Sequence, residues 1–193
     1  MIGEETADAT LELASKVTGA LATQGVETVV IGALAMAAHR YARATEDLDL
    51  AVAVEPSQMR VLAQVLRGTG LEVELREPDP QDPLGGVMDI HAPGADRVHV
   101  VNFDNSPAGG FPRLVRDALA SSMPLEPGSN LRITGLFPLI GFKLYAGGEK
   151  SRSDLQHLLK RNEPVDLPAL RTWCAERRLS RQLEDVLAGI VVG

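Results

Sequence analysis

The feature that most constrains the fold is an acidic pair inside an apolar strand signal. The segment TEDLDLAVAV, residues 45–54, predicts a β-strand in which Asp47 and Asp49 stand one residue apart. Alternate residues of a strand face the same side, so both carboxylates point to one face, about 7 Å apart. At an effective dielectric constant near 20 they repel by about 2 kcal/mol. Leu48 and Leu50 point into a core. The acidic face is therefore either a wet edge or a metal site.

The rest of the chain predicts an α/β fold, with a small mixed sheet and a helical C-terminal part. Apolar periodicity and turn residues predict strands over 26–32, 71–77, 85–93, 97–103 and 131–135. They predict helices over 5–24, 33–41, 56–68, 111–122, 136–147, 151–161, 167–178 and 180–191. We therefore expect an α/β core over residues 1–110 and a mainly helical part, packed on that core, over 111–193.

Composition narrows the classes of partner. The chain has 193 residues and a net charge of −7, which argues against broad nonspecific binding to nucleic acids or membranes. Its longest mostly apolar run, VVIGALAMAA, is too short to cross a bilayer, and its N-terminal residues carry no apolar stretch like that of a signal peptide. A cytoplasmic protein with no membrane partner is expected. The single cysteine, Cys174, excludes an internal disulfide and a cysteine-based metal cluster.

A glycine turn precedes the acidic strand. Gly32 and Ala33 lie between a predicted strand and a predicted helix, where glycine permits close approach of a ligand and free N–H groups can bind phosphate. Asp47 and Asp49 follow about fourteen residues later. Phosphate-binding groups beside two carboxylates are the arrangement that holds a nucleoside triphosphate through Mg²⁺, which takes one or two carboxylates plus substrate phosphates. The alternative for Gly32 is tight packing of the helix on the strand.

The stretch VIGALAMAAHRYARATEDLDLAV resembles the signature of the nucleotidyltransferase fold shared with the polymerase-beta superfamily. It is most similar to the minimal nucleotidyltransferases of the AbiEii/MenA-like toxin type, whose pattern is roughly h-G-[GS]-x-A, then Arg-x-Thr, then D-[IL]-D-[IL]. The matching positions are Gly32, Ala35, Arg43, Thr45, Asp47, Leu48, Asp49 and Leu50, with Ala33 in the Gly/Ser place. The alternative for Arg43 and Thr45 is capping of, or pairing with, the acidic strand.

A second stretch, FKLYAGGEKSRSDLQHLL, supports the same resemblance. The family commonly shows K-L-x-A followed by K-D-x-x-D-L-x-x-L, and here the matches are Lys143, Leu144, Ala146, Asp154, Leu155 and Leu158. His157 stands where the second aspartate is expected. The resemblance implies that Lys143 neutralises phosphate charge and that Asp154 belongs to the site. The alternative for Lys143 is a side chain that reaches water from an apolar helix. The alternative for Asp154 is an acid in an early turn of a helix, favoured there by the helix dipole.

The third carboxylate of the family could fall on either of two predicted strands here. The family places it on a later strand, where RVHVVNF offers His99 or Asn102, while Asp89 in VMDIH lies on the adjacent predicted strand. If Asp89 faces Asp47 and Asp49, three acids converge and two Mg²⁺ ions can be held. If only His99 or Asn102 faces the pair, one metal remains and the acceptor lacks an anionic base.

The resemblance implies Mg²⁺-dependent transfer of a nucleoside monophosphate from a nucleoside triphosphate to an acceptor. The acceptor could be an RNA end such as that of tRNA, a protein hydroxyl or a small alcohol, and a toxin–antitoxin role would add an antitoxin protein as partner. The implied catalytic residues are Asp47, Asp49, Asp89, Lys143 and Asp154. The implied nucleotide-binding residues are Gly32, Ala33, Arg43, Thr45 and Lys143, and the metal ligands are Asp47, Asp49 and Asp89. The alternative is a catalytically lapsed relative that binds nucleotide or protein.

A basic stretch near the C-terminus, RTWCAERRLSRQ, leaves two interpretations open. It concentrates Arg171, Arg177, Arg178 and Arg181 around Trp173. Such a stretch could contact RNA phosphates with the indole ring stacked on a base. The other interpretation is a solvated helix face.

Overall fold

A computed structural model describes residues 2–78, 82–105 and 111–191. The helices are α1 (Ile2–Ala22), α2 (Gly32–Ala38), α3 (Pro56–Gly68), α4 (Pro112–Ala120), α5 (Leu136–Ala146), α6 (Gly148–Arg161), α7 (Leu167–Ala175) and α8 (Ser180–Val191). The strands are β1 (Val29–Ile31), β2 (Asp47–Val52), β3 (Glu72–Arg76), β4 (Val87–His91), β5 (Arg97–Asn102), β6 (Met123–Pro124) and β7 (Arg132–Ile133).

The seven strands form one mixed sheet in the order β3-β4-β5-β2-β1-β7-β6. Strand β2 is central, with β1 antiparallel on one side and β5 parallel on the other. Strand β4 pairs antiparallel with β5, and β3 pairs antiparallel with β4. In this order β5 lies directly beside β2, although β3 and β4 come between them in the sequence. Strand β4 lies on the other side of β5. The predicted α/β fold with a mixed sheet is confirmed.

One face of the sheet is covered by α1, α2 and α3. Leu48 and Leu50 of β2, 5% and 0% exposed, point into this layer, as the alternation of β2 predicts. Helix α1 buries Val17 and Leu21 there. Since the leucines of β2 are buried on this side, its aspartates must emerge on the other.

The opposite face is covered by the later helices over only part of its area. Ala51, Ile31 and Phe103 pack with residues of α4, α5 and α8 in a second cluster. The end of β2 that carries Asp47 and Asp49 lies beyond this cluster, and both residues are half-buried. The partial cover leaves an open polar area beside a closed apolar one.

Several boundaries differ from the sequence-based expectations. The helix predicted over 33–41 ends at Ala38, followed by a backbone at Arg40 with φ of 65° that interrupts helical geometry. The strand predicted over 131–135 is only two residues long, β7, and it pairs with both β1 and β6. Strand β6 was not predicted, because two residues are too few to show any periodicity. The expected domain boundary at residue 110 lies outside the described residues.

Within these described ranges, no helix combines the length and apolar character needed to cross a membrane.

Candidate active site

Strand β2 presents the acidic pair at its N-terminal end. Asp47 and Asp49 alternate with buried Leu48 and Leu50, and each acidic side chain keeps 30% of its surface exposed. The Thr45 hydroxyl lies 3.1 Å from the carbonyl oxygen of Asp47 and 3.3 Å from its amide nitrogen, which fixes the entry into the strand. Thr45 is thus placed as a local turn residue that positions the first aspartate.

The imidazole of His99 lies between three carboxylates. Its Nδ1 is 3.2 Å from Oδ1 of Asp49, and its Nε2 is 3.2 Å from Oδ1 of Asp89 and 3.8 Å from Oδ1 of Asp47. The oxygens of Asp47 and Asp89 therefore cannot be farther apart than these two distances to Nε2 together. The three acids named by the sequence meet on one face, with a histidine in their midst.

Two arginines compensate this negative charge from the flanks. The Arg97 guanidinium donates to Oδ1 of Asp47 through Nε at 2.9 Å, and its Nη2 lies 2.8 Å from the same oxygen. From the neighbouring strand, Nη2 of Arg76 donates to Oδ1 of Asp89 at 3.1 Å. Asp89 is the most enclosed of the three acids, with 10% of its side chain exposed. These pairs offset the repulsion expected between clustered carboxylates.

The carboxylates favour the charged form of the histidine. The hydrogen bond to Asp49 raises the pKa of His99 above 6.5, and the negative charges of Asp49, Asp47 and Asp89 raise the pKa further. Burial of the ring acts in the opposite direction. The acidic surroundings therefore shift the imidazole toward its protonated form, against the effect of burial.

Gly32 makes room for the second aspartate. Its φ of 68° lies in the left-handed region, and a Cβ atom built on it would lie 2.0 Å from Oδ2 of Asp49. The start of α2 therefore approaches the carboxylate as only glycine permits. Gly32 thus packs the start of α2 against the acidic strand at Asp49 itself, and its contact with phosphate stays a prediction.

We expect Gly32→Ala to displace Asp49 and to destabilise the protein by at least about 1–2 kcal/mol, the cost of a left-handed conformation for a residue with a Cβ. Gly25→Ala is the matched control, because Gly25 has φ of 72° and a Cβ atom added to it would meet no heavy atom within 4 Å. Denaturant unfolding should show a loss in both variants. Nucleotide affinity should fall only in Gly32→Ala, and equal affinity in the two variants would contradict the role of the Gly32–Asp49 approach.

A cleft of about 510 Å³ opens beside the acidic pair. Gly32 and Asp49 line it at one end, and Lys143 of α5 lines it too, although Lys143 is remote from them in sequence. The remaining lining is mostly apolar and aromatic: Ile31, Asp82, Pro83, Leu84, Val101, Phe103, Leu139, Phe142, Tyr145 and Ala146. A ligand here would contact carboxylate, ammonium and ring surfaces together.

Lys143 is tied to a buried acid. Its Nζ donates to Oδ2 of Asp154 at 2.7 Å, and Nε of Arg43 lies 3.3 Å from the other oxygen, Oδ1. The Asp154 side chain is only 3% exposed, whereas those of Lys143 and Arg43 are 14% and 23% exposed. Asp154 therefore joins the loop after α2 to helices α5 and α6, and it holds two cations together at the wall of the cleft.

Part of the lining of the cleft is aromatic. The Phe103 ring lies 4.7 Å from that of Phe142 and 6.1 Å from that of Tyr145. The Oη atom of Tyr145 is buried and has no hydrogen-bond partner among the described residues. Burial first, and then the charge of Asp82, raises the pKa of Tyr145 to about 12, so its hydroxyl stays protonated.

The C-terminal basic stretch is engaged within the protein. Arg177 donates to Asp117 at 2.6 Å and covers the Trp173 ring at 4.0 Å. Arg171 donates to Glu184 at 2.7 Å. Arg177, with 8% of its side chain exposed, is therefore part of the packing between helices and belongs neither to a solvated face nor to a free RNA surface.

Asp47 and Asp49 carry the kind of ligand that Mg²⁺ takes in proteins. Across the ranges described, no group of three or more His, Cys, Asp and Glu side chains could hold a metal ion. Magnesium does not require such a group, because it is held by one or two carboxylates together with substrate phosphates and water. The two aspartates share a strand face, and Asp49 lines the cleft. Carboxylate oxygens are also the ligands that Mg²⁺ prefers.

Sequence reasoning missed the two arginines and left the role of His99 open. The alternation in RVHVV places Arg97 and His99 on one face of β5, and this pattern could have indicated that both side chains face the acidic pair. Arg76 could not be assigned in the same way, because its contact with Asp89 depends on the pairing of β3 with β4. Arg97 lies directly opposite Asp47 and His99 directly opposite Asp49. Arg76 lies opposite Val87 and reaches Asp89 diagonally.

Three solved structures share the fold over most of the chain. ANT(2'')-Ia in complex with adenylyl-2''-tobramycin matches with a TM-score of 0.55 and 15% identity, over 88% of this chain and 99% of that one. The solution structure of the antibiotic-resistance factor ANT(2'')-Ia matches with a TM-score of 0.54 and 14% identity, over 92% and 97%. An antigenic nucleotidyltransferase-like protein from Paracoccidioides brasiliensis matches with a TM-score of 0.52 and 16% identity, over 93% and 94%.

No protein-family model matches the sequence, and no curated protein sequence matches it. At the identities of the three structures, the likeness shows the fold alone. The chain therefore has the fold of these nucleotidyltransferase structures, and its chemistry must be argued from its own residues.

Proposed function

We propose that the chain transfers a nucleoside monophosphate from a nucleoside triphosphate to an acceptor hydroxyl, with Mg²⁺ as cofactor. The observation that carries the proposal is the approach of Gly32 to Asp49 on a strand face that also presents Asp47. This arrangement puts Asp49 in the lining of a cleft large enough for part of a nucleotide, with Asp47 on the same strand face. The fold shared with nucleotidyltransferases supports the same conclusion.

In this proposal Asp47 and Asp49 hold the cation, which when bound would offset phosphate charge and orient the triphosphate. Gly32 and Ala33 lie beside the phosphates, and Lys143 faces them from the wall of the cleft. Asp154 positions Lys143 through the 2.7 Å contact and Arg43 from the other oxygen. Because the ammonium is held in place before the substrate arrives, little ordering of Lys143 is needed on binding.

The reaction balances as an in-line displacement at the α-phosphorus. The acceptor oxygen forms a bond to that phosphorus, the bond to the oxygen bridging the α and β phosphates breaks, and pyrophosphate leaves. We assign the acceptor's proton to Oδ2 of Asp89, since Arg76 and His99 both contact the other oxygen, Oδ1. General base help of this kind contributes about 10²–10⁴ in rate.

Three acceptor classes follow from the proposal: an RNA end, a protein hydroxyl and a small alcohol. The narrower resemblance to AbiEii/MenA-like toxins favours tRNA as acceptor and an antitoxin as protein partner. The structure of ANT(2'')-Ia with adenylyl-2''-tobramycin makes an aminoglycoside the first small alcohol to test. The internal pairing of Arg171 and Arg177 gives no added support to the RNA arm.

The experiment is incubation with each of the four α-labelled nucleoside triphosphates and Mg²⁺, with tRNA, cell-extract protein or an aminoglycoside mixture as acceptor. We expect label to appear in one acceptor class together with pyrophosphate release. A lapsed enzyme is the second candidate, favoured by His99, which stands beside the acidic pair on the strand where the resemblance puts the third carboxylate at His99 or Asn102. Nucleotide binding by calorimetry without any transfer would support it, and absence of binding would contradict both candidates.

A further inference from the structure

His99 stands in register between two of the acids. It pairs with Asp49 of β2 on one side and with Asp89 of β4 on the other. Paired residues of neighbouring strands point to the same face. Asp49, His99 and Asp89 therefore form one row across three strands, and an imidazole fills its centre.

The ring is held on both sides. Nδ1 is 3.2 Å from Oδ1 of Asp49, and Nε2 is 3.2 Å from Oδ1 of Asp89. Asp89 is itself fixed by Nη2 of Arg76 at 3.1 Å, and the histidine side chain is only 17% exposed. Contacts to both ring nitrogens and low exposure indicate a fixed side chain, not one that swings freely out of the row.

This ring occupies the space that a second cation would need. Two oxygens bound to one Mg²⁺ lie at most about 4 Å apart, because each Mg–O bond is about 2.1 Å. Nε2 lies between Asp47 and Asp89, 3.8 and 3.2 Å from their Oδ1 atoms, so a cation shared by these two oxygens would compete with the ring for that space. A cation shared by Asp49 and Asp89 would have to replace the whole ring. Imidazole does not substitute as a ligand, because Mg²⁺ prefers oxygen.

We propose that His99 takes the place of a second cation on this face, so that the chain binds one divalent cation, through Asp47 and Asp49, for each nucleotide. The inference rests on the proposed nucleotide binding and deepens it. Asp89 is then not a metal ligand: it holds His99 in position and stays available to the acceptor. The chain differs in this respect from the three-acid, two-metal arrangement that its sequence resemblance implies.

The test is a count of Mn²⁺ bound in the presence of a saturating α,β-methylene nucleoside triphosphate that cannot be cleaved. Equilibrium dialysis should give one Mn²⁺ per bound nucleotide in the wild-type protein, and electron paramagnetic resonance should show no coupled pair of ions. His99→Asp supplies an oxygen ligand on β5, and we expect the count to rise to two, with the spectral coupling of ions about 4 Å apart.

Two variants separate the ligand change from loss of the ring. His99→Leu keeps the space filled without adding an oxygen ligand, and Asp89→Asn removes the proposed partner of the ring, so both should keep a count of one. Two ions in the wild-type protein, or a lower count in Asp89→Asn, would overturn the inference while leaving nucleotide transfer intact. If the nucleotide does not bind, or binds without Mn²⁺, the proposed function is overturned as well. The wild-type count decides the matter even if His99→Asp does not fold.

Discussion

Asp49→Asn should abolish Mg²⁺-dependent nucleotide binding and transfer while leaving the fold intact. The substitution removes one of two anionic ligands at the centre of the site but keeps the size of the side chain. A bound metal supplies several kcal/mol of charge stabilisation, which corresponds to a loss of about 10²–10⁴-fold in transfer rate. The side chain is 30% exposed, so the amide remains hydrated and unfolding should shift little.

The measurement compares nucleotide affinity with and without Mg²⁺ in the wild-type protein and the variant. Glu72→Gln is the matched control, because it makes the same chemical change at an exposed position of β3 in the same sheet. We expect the Mg²⁺-dependent part of the affinity to disappear in Asp49→Asn alone. Unchanged affinity in that variant would remove Asp49 from the metal site and leave the acidic pair as a solvated strand face.

The acidic pair could be predicted because its signal is local. Alternation within DLDLAV separates Asp47 and Asp49 from Leu48 and Leu50, and the burial of the two leucines follows that pattern. A strand needs no knowledge of its partners to place its side chains on two faces. The mixed α/β architecture was predictable for the same reason, since most helices and strands carry a clear period in the sequence.

The surroundings of the pair could not be predicted in the same way. The contacts of His99 with Asp49 and Asp89 depend on the strand order β4-β5-β2, in which β5 runs parallel to a strand 50 residues earlier. Nothing in RVHVV specifies that partner or the register, and a shift by one residue would turn His99 to the other face. The sequence therefore offered Asp89 and His99 as alternatives, whereas the structure places both beside the pair.

The helical half illustrates a second limit. Strands β6 and β7 have two residues each, too few for any period, yet β7 extends the sheet beside β1. The contacts of Asp154 were equally unpredictable, because the helical pattern of its segment indicates only that it lies on a helix. Its contact with Arg43, from the other half of the chain, arises because α5 and α6 fold back onto the loop after α2. Long-range packing therefore decides which charges meet.

Asp154→Leu should be the most destabilising substitution in the cleft. It leaves the Lys143 ammonium, whose side chain is 14% exposed, without its 2.7 Å partner, and it removes the partner of Arg43 as well. Breaking a buried pair by removing one member costs about 3–5 kcal/mol. Allowing for the partial exposure of both cations, we expect about 3 kcal/mol, or a fall in Tm of about 6–12 °C for a chain of this length.

Lys143→Met should cost less, because Asp154 keeps Arg43 as a partner at 3.3 Å. The double variant Lys143→Met/Asp154→Leu replaces the pair by apolar groups, an exchange that is often neutral, although it still leaves Arg43 without Asp154. We expect it to be more stable than Asp154→Leu alone, with a coupling of about 0.5–3 kcal/mol in the double-mutant cycle. Thermal unfolding of the four proteins provides the measurement, and additive effects would show that the two side chains do not stabilise each other.

The same double variant separates stability from function. If Lys143 contacts phosphate, its charge-assisted hydrogen bonds are worth about 1.5–3 kcal/mol, so both variants that lack it should bind nucleoside triphosphate about 10–100-fold more weakly. The recovery of stability in the double variant should bring no recovery of affinity. Wild-type affinity in a stable double variant would make Lys143 and Asp154 a structural pair that joins α5 to α6, and the phosphate contacts would then have to come from elsewhere in the cleft.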